Sequence, residues 1–312
     1  MRLLILAAAA AFALPAVAQT PAATPSAATR AMAAGYKALT VCSAVLYGGR
    51  TVESVEANEL VGIYPELDGL VREMPAQVDE LHRSVSVGWD DGMPARIAVW
   101  APEAGCSIMP VGWTGPLEEW LLTPGSRITR PLPVAAPADP NAVSEVLGRT
   151  LRGGYGEGTK TTAVVILHND AVVGEGYAEG FGPDTPQRTW SVAKSISGTL
   201  IGAAVQRGEV DVDTPAAIQD WRRPGDPRAA ITLDQLLRMS SGLTSDTAGN
   251  RTDAIYFGGV GVDEQVTTWP LITQPGTRFR YANNDILLAT QAVPSINPQS
   301  LFRQLGMLRT VA

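Results

Sequence analysis

The stretch TWSVAKSISGTLIGAAVQRG, residues 189–208, decides the fold of this chain. Its apolar and small residues recur along one stripe, which predicts a helix that ends near Gly208. Ser191 and Lys194 are three residues apart near the start of this helix, so their side chains point the same way, with Cβ atoms about 5–6 Å apart. A serine hydroxyl is a weak nucleophile until a neighbouring base takes its proton. The pair predicts a nucleophile, Ser191, with Lys194 beside it.

Lys194 can accept a proton only in its neutral form, which burial favours. We expect Val192, Ile196 and Leu200 to provide that burial. The competing interpretation is a solvated helix lysine that has a serine nearby by chance. Two observations favour the functional one: a predicted hairpin comes just before the pair, and lysine is scarce, with only Lys37, Lys160 and Lys194 in the chain.

The segment before this helix predicts a β-hairpin over residues 161–180. TAVVIL forms a buried strand, His168, Asn169 and Asp170 form the turn, and AVVGEGY returns. His168 is a candidate base, but a polar turn residue is a sufficient explanation for it. The other histidine is His82, and no cluster of ligands accompanies either one, so we expect no metal site and no cofactor.

A second candidate element lies about 90 residues after Ser191. Tyr281 and Asn283 form a Tyr-x-Asn sequence. It occupies the position that the Ser-Asp-Asn element has in a β-lactamase pattern. A phenol has a pKa near 10, so Tyr281 needs a cation such as Lys194 beside it to serve as a base. Asn283 offers an amide that can hold Lys194 and a substrate carbonyl. The alternative is a tyrosine that packs in a loop at a helix start.

Four segments together carry a resemblance: residues 189–216, ITLDQLLRMSSGL at 231–243 with a capping box at Thr232, PGTRFRYANND at 275–285, and LGM at 305–307. In this order they resemble the serine β-lactamase-related family, which includes class C β-lactamases, DD-peptidases, esterases and 6-aminohexanoate-dimer hydrolases. The resemblance covers about residues 160–308 and is nearest the last two branches. It implies an α+β fold, an antiparallel sheet flanked by helices plus a helical subdomain. It also implies a Ser191 acyl-enzyme, with Lys194 and Tyr281 sharing the proton transfers and Asn283 binding substrate.

The resemblance implies one motif that the sequence lacks. Family members carry Lys-Thr-Gly or His-x-Gly on a late strand, and residues 284–312 contain no Lys and no His. We therefore expect residues 143–312 to be a truncated hydrolase domain without its C-terminal strands. The alternative function is a non-catalytic remnant or penicillin-binding protein of the same fold. An α/β-hydrolase triad fits poorly, because no histidine follows Ser191.

The rest of the chain predicts an exported protein with an accessory region. Residues 1–18 have the charged start, apolar run and small-x-small site of a cleaved signal peptide, which predicts a periplasmic or secreted protein without a membrane anchor. We expect a flexible leader at 19–35, an accessory region at 36–129 and a Pro/Ala-rich linker at 130–142. Within the accessory region, VCSAVLYGG (41–49) and ARIAVW (95–100) are predicted to be strands or buried segments.

The cysteine content of the sequence bears on a disulfide, and its net charge bears on the class of binding partner. The only cysteines, Cys42 and Cys106, are predicted to form a disulfide, although two buried thiols remain open. A formal net charge of -7 argues against nucleic-acid binding. The expected partner is a small ester, amide or β-lactam, and the sequence leaves substrate identity and oligomeric state open.

Overall fold

A computed structural model describes residues 24–102, 104–117, 132–244, 255, 258, 261–307 and 309–311. The predicted signal peptide at 1–18 lies outside the described residues. We call residues 24–117 the N-terminal region and residues 132–311 the C-terminal region.

The N-terminal region opens with helix α1, Ala27–Val41, which continues as a π-helical segment, Cys42–Tyr47. The Ser26 hydroxyl caps α1 by accepting a hydrogen bond from the Thr29 N–H at 3.0 Å. The expected leader at 19–35 and the strand-like interpretation of 41–49 therefore need correction, since both overlap this helical run. Alanine is the best helix former, and Ala31, Ala33, Ala34 and Ala38 of α1 are buried, so the segment is helical.

The four-stranded sheet of this region is an antiparallel meander in the order β1-β2-β3-β4. Its strands are β1 Ala76–Asp79, β2 Ser84–Val87, β3 Arg96–Ala101 and β4 Gly105–Ile108. β3 alternates between buried and half-buried residues, which confirms the strand predicted at 95–100. Helices α2, Val52–Asn58, and α3, Pro65–Glu73, complete the region.

The core of the N-terminal region lies between α1 and this sheet. It contains Tyr36, Val41, Val71, Val85, Val87 and Ala98. A disulfide joins Cys42, just after α1, to Cys106 on β4, with 6.1 Å between the two Cα atoms. The N-terminal region thus has its own hydrophobic core and its own disulfide bond.

The C-terminal region begins with helix α4, Pro140–Leu151, which packs on the hairpin of β5, Ala163–His168, and β6, Ala171–Tyr177. The hairpin predicted at 161–180 is confirmed, but its first strand is not the buried strand that was expected, since Val165 and Leu167 on β5 are about half exposed. Its turn residues Asn169 and Asp170 have φ of 50° and 59°, the left-handed pair that a two-residue turn requires.

Helices form the rest of the region around a second core. They are α5 Val192–Gln206, α6 Leu233–Leu237, α7 Val262–Val266, α8 Asn283–Gln291 and α9 Pro298–Gln304, with short 3₁₀ turns at Gln219–Trp221 and Pro227–Ala230. This core includes Ile201, Trp221, Leu236, Leu288 and Val293. The capping box predicted at Thr232 is present, with Gln235 as its partner.

The helices and antiparallel sheets confirm the predicted α+β class. Buried Arg96 on β3 fastens the two regions, because its guanidinium donates to the carbonyl oxygens of Ala31 at 3.2 Å and Gly258 at 3.2 Å. Among the helices that the structure describes, none has both the length and the apolar character needed to cross a bilayer.

Candidate active site

Ser191 is the residue from which α5 starts. Its backbone is already helical, with φ −68° and ψ −7°, and its hydroxyl makes no capping bond to its own helix. The hydroxyl is exposed at the helix N-terminus, where the helix dipole favours negative charge. The residue before it, Trp190, has φ of 45°, a left-handed conformation that costs a bulky residue on the order of 1–3 kcal/mol.

Two side chains converge on the Ser191 hydroxyl oxygen. Lys194 Nζ donates a hydrogen bond to it at 3.0 Å, across one turn of α5. Tyr281 OH donates to it at 2.6 Å from a segment 90 residues away in the chain. The Lys194 ammonium lies 4.8 Å from the centroid of the Tyr281 ring, so the three groups form one compact cluster.

The cluster changes the pKa of Tyr281. Partial burial, the largest single influence, raises the pKa of this phenol. Hydrogen bonds from Lys194 and Ser191, together with the positive charge of Lys194, outweigh it and lower the pKa below its ordinary value near 10. A phenolate is thus easier to form here than in a free tyrosine.

Tyr281 reaches Ser191 because its loop is fixed to the loop after α6. The N–H of Arg280 donates to the carbonyl oxygen of Met239 at 2.9 Å, and the N–H of Gly276 donates to that of Ser240 at 2.8 Å. Met239 has φ of 52°, which turns the α6 loop toward the Tyr281 segment. The LLRMSSGL and YANND segments, separate in sequence, are therefore one structural unit.

Asn283 and Asp285 lie on the first turn of α8, just after Tyr281. Asn283 is the first residue of the helix and is half-buried. Asp285 is only 3% exposed and accepts hydrogen bonds from the hydroxyl and the backbone N–H of Ser241. Burial raises the pKa of Asp285 to about 6, against the lowering effect of those two bonds. This buried carboxyl joins the two loops beneath Tyr281.

The surroundings of Lys194 differ from the expected ones. Val192 is 62% exposed and Leu200 is buried in the core, so the two do not enclose the ammonium together. Helix geometry explains the difference, because Val192 lies about 200° around the helix from Lys194. The side chain that covers the Lys194 ammonium is the Tyr281 ring.

The two histidines have structural surroundings. His168 is exposed at the end of β5, beside the hairpin turn, as the simpler interpretation predicts. The Nδ1 of His82 is 2.7 Å from a carboxylate oxygen of Asp79 in the turn after β1. Within the described ranges, no group of three or more His, Cys, Asp or Glu side chains could hold a metal ion.

Sequence comparison assigns the class of protein that this site and fold define. The sequence model of the beta-lactamase family matches residues 148–307, just over half of the chain. The chain belongs to the beta-lactamase family, which confirms the predicted resemblance and fold. The match includes both segments that meet at Ser191.

The more specific similarities are to hydrolases. A stretch of 59 residues is 39% identical to the 6-aminohexanoate-dimer hydrolase of Paenarthrobacter ureafaciens and covers 19% of this chain and 15% of that protein. The chain therefore matches well under two thirds of the length of this curated relative.

Two solved structures are also similar in part. One is a Bacillus anthracis protein named after 6-aminohexanoate-dimer hydrolase, with TM-score 0.44, 19% identity, and coverage of 56% of this chain and 52% of that chain. The other is a Bacteroides dorei DSM 17855 protein named after beta-lactamase, with TM-score 0.41, 26% identity, and coverage of 54% and 50%.

Sequence reasoning missed one residue that connects the site to the N-terminal region. Arg188 donates to the Tyr36 hydroxyl at 3.2 Å and to the Thr40 hydroxyl at 3.1 Å, both on α1. Its guanidinium also stacks on the rings of Tyr36, at 5.3 Å, and Trp190, at 4.9 Å. The only sequence signal was an arginine three residues before Ser191, which does not reveal a contact with residues about 150 positions earlier.

Proposed function

We propose that this chain is an exported serine hydrolase that cleaves an ester or amide through a Ser191 acyl-enzyme. The observation that carries the proposal is the Ser191 oxygen, which lies 2.6 Å from Tyr281 OH and 3.0 Å from Lys194 Nζ. A nucleophile within hydrogen-bond reach of a base, with a second group orienting that base, is the general arrangement of covalent catalysis. The similarity to 6-aminohexanoate-dimer hydrolase supports an ester or amide as substrate.

The acylation step follows from these contacts. Tyr281 in its phenolate form accepts the Ser191 proton across the 2.6 Å contact, and the Lys194 ammonium stabilises that phenolate. The Ser191 oxygen then forms a bond to the substrate carbonyl carbon. As the bond to the leaving alcohol or amine breaks, Tyr281 returns the proton to the leaving group. Partial negative charge on the carbonyl oxygen develops near the N-terminus of α5, which favours it.

Deacylation reverses these roles with water. Tyr281 takes a proton from a water molecule, whose oxygen attacks the acyl carbon, and the bond to the Ser191 oxygen breaks. Ser191 recovers its proton, and a carboxylic acid leaves. Asn283 stands two residues after Tyr281, and we assign it to hold the substrate carbonyl. The reaction uses no cofactor in this scheme.

Intact-protein mass spectrometry tests the proposal. The chain without residues 1–18 is exposed to a fluorophosphonate and, separately, to a labelled penicillin, and the adduct is mapped by peptide analysis. We expect an adduct on Ser191 that is absent in Ser191→Ala and present in Ser195→Ala, an exposed serine on the same helix. A folded wild-type chain that forms no adduct with either reagent contradicts the proposal.

The experiment with labelled penicillin also distinguishes the proposed hydrolase from the alternative function. A serine hydrolase with a working deacylation step loses the penicilloyl group or turns over a simple ester. A penicillin-binding remnant keeps the group on Ser191 for hours and hydrolyses no ester. The lifetime of the adduct therefore distinguishes the two.

A further inference from the structure

An open groove of about 460 Å³ lies between the N-terminal region and the residue before Ser191. This volume is in the range of sites that bind small molecules. Six of its nine lining residues are aromatic or aliphatic, among them Tyr36, Val61, Ile63, Tyr64 and Trp190, and polar atoms expose about as much of the wall as apolar ones. Four of these five come from the N-terminal region, and only Trp190 belongs to the segment that carries the nucleophile.

Trp190 relates the groove to the candidate active site, because it lines the groove and directly precedes Ser191 in the chain. Trp190 is 54% exposed, so its ring is not part of a core. Such a large exposed fraction is unusual for tryptophan. Its left-handed backbone and the Arg188 guanidinium, 4.9 Å away, hold the ring in place. Arg188 itself is held by the Tyr36 and Thr40 hydroxyls of α1. Trp190 is thus a fixed wall, one residue from the nucleophile.

The charged residue that lines the groove is paired within the protein. Glu59 lines the groove, but Arg50 Nη1 donates to its carboxylate at 2.6 Å. Arg50 also donates to the hydroxyl and carbonyl oxygens of Ser54 and stacks on the Phe181 ring at 4.9 Å. Arg188 does not line the groove, and its guanidinium donates to the neutral Tyr36 and Thr40 hydroxyls of α1. A ligand therefore meets several aromatic and aliphatic side chains and one carboxylate that is already paired, which favours an uncharged chain with apolar carbons.

We propose that this groove binds the uncharged apolar portion of the substrate whose carbonyl lies at Ser191. The inference rests on the proposed function for the position of the carbonyl. It assigns the N-terminal region a part in substrate selection. The apolar portion can be on the acyl side or on the leaving-group side of the scissile bond, and the two are separated by experiment.

Two ester series provide the kinetic test. In one, the acyl chain of p-nitrophenyl esters grows from acetate to octanoate; in the other, the alcohol of alkyl acetates grows from ethyl to octyl. We expect kcat/KM to rise about threefold to fourfold per methylene in one series, until the groove is filled. The series that shows the rise identifies the side of the bond that the groove holds.

Substitutions in the N-terminal wall then test the assignment. Val61→Asp places a charge in the groove at an exposed position, and Tyr64→Ala removes an aromatic wall. In the series that shows the rise, each substitution should lower the ratio of kcat/KM for the longest ester to kcat/KM for the shortest ester by at least fivefold. Tyr155→Ala, which removes an exposed tyrosine that stacks on Arg149 outside the groove, should leave the ratio unchanged. Ratios that stay the same in all variants overturn the inference.

A binding measurement separates failure of this inference from failure of the proposed function. Octanamide is uncharged and its binding, followed by ligand-observed NMR, needs no turnover. We expect wild type and Tyr155→Ala to bind it, and Val61→Asp to bind at least fivefold more weakly. Absence of a Ser191 adduct, together with octanamide binding that Val61→Asp weakens, overturns the proposed function and leaves the groove as a binding site for apolar chains. An adduct on Ser191, together with octanamide binding that is absent or unchanged by Val61→Asp, overturns the groove assignment alone.

Discussion

The two sheets of this protein are supported in different ways. In the four-stranded sheet, Val85, Val87 and Ala98 are completely buried against α1. In the two-stranded sheet, α4 covers one face, while Val165 and Leu167 on β5 are 50% and 56% exposed on the other. A two-stranded sheet is only marginally stable by itself. The comparison teaches that the segment just before the candidate nucleophile has little core of its own, and that its neighbours must position Ser191.

The first prediction separates chemistry from support. Lys194→Ala should slow fluorophosphonate labelling of Ser191 by about 10³-fold or more, because removal of a group that activates a nucleophile commonly costs 10²–10⁴-fold. The melting temperature should stay within about 2 °C, since the half-buried Lys194 side chain is not part of the core of the C-terminal region. Labelling kinetics and thermal melts measure both.

Lys160→Ala is the matched control for that substitution. Lys160 donates to the Ala57 carbonyl at 3.1 Å, away from Ser191, and its loss should leave labelling unchanged. Labelling that slows equally in both variants would show that Lys194 acts only through general charge.

The second prediction weakens the better supported sheet. Cys42→Ala with Cys106→Ala opens a loop with a sequence separation of 64 residues. The free energy of unfolding of the N-terminal region should fall by about 4 kcal/mol in the chain-entropy model. Urea unfolding, followed by circular dichroism, measures the loss.

Labelling of Ser191 sharpens this result. While the double variant is still folded, the labelling rate should remain within about twofold of wild type. An unchanged free energy of unfolding would contradict the stabilising role of the disulfide.

The third prediction concerns the carboxyl that joins the two loops under Tyr281. The pKa of Asp285 is raised to about 6 in the folded state, above its ordinary value of 3.8, so the folded protein binds the proton more tightly than the unfolded one. Asp285 therefore favours folding at low pH, and this contribution is lost as pH rises from about 4 to 6. The contribution of Asp285 to the free energy of unfolding should change by roughly 3 kcal/mol across that pH range.

Asp285→Asn removes this titration. The free energy of unfolding measured from pH 4 to 7 should lose the part of its slope that Asp285 contributes. Asp213→Asn, at an exposed position, should keep the wild-type slope. Identical slopes for all three proteins would show that Asp285 titrates normally.

The prediction with the smallest expected effect tests whether the two sheets differ in local stability. Each half-exposed Val165 and Leu167 side chain forgoes about half of the 1.5–3 kcal/mol that full burial provides. Amide hydrogens of β5 and β6 should therefore exchange through openings that cost roughly 2 kcal/mol less than those of β2 and β3. Hydrogen exchange with mass spectrometry measures this, and equal protection of the two sheets would refute the comparison.

Local patterns predicted the elements that local physics determines. The hairpin, α5 and the Thr232 capping box follow from turn residues, apolar spacing and capping chemistry within a few residues of each other. The segment at 41–49 was predicted differently, because its β-branched and aromatic residues favour a strand when read alone. The alanine-rich α1 before it and the packing of the region impose a helical path instead.

The candidate site divides in the same way. Ser191 and Lys194 share one helix turn, so their spacing, together with the hairpin before them and the scarcity of lysine, indicated the pair. Tyr281 came from the resemblance to a family, because no local pattern links residues 90 positions apart. Arg188, Asp285 and the groove were not predicted, since each depends on contacts between distant segments that only the folded chain brings together.

The Arg188 guanidinium has a consequence for the order of assembly. Its hydroxyl partners lie on α1, in the half of the chain that a ribosome completes first. Trp190 therefore obtains its fixed position only after the earlier half has folded, and Ser191 follows it directly. A nascent or damaged chain whose first helix is misplaced would keep Ser191 but lose the Arg188 contacts that join Trp190 to α1, so labelling of this candidate nucleophile would report on the folding of both regions.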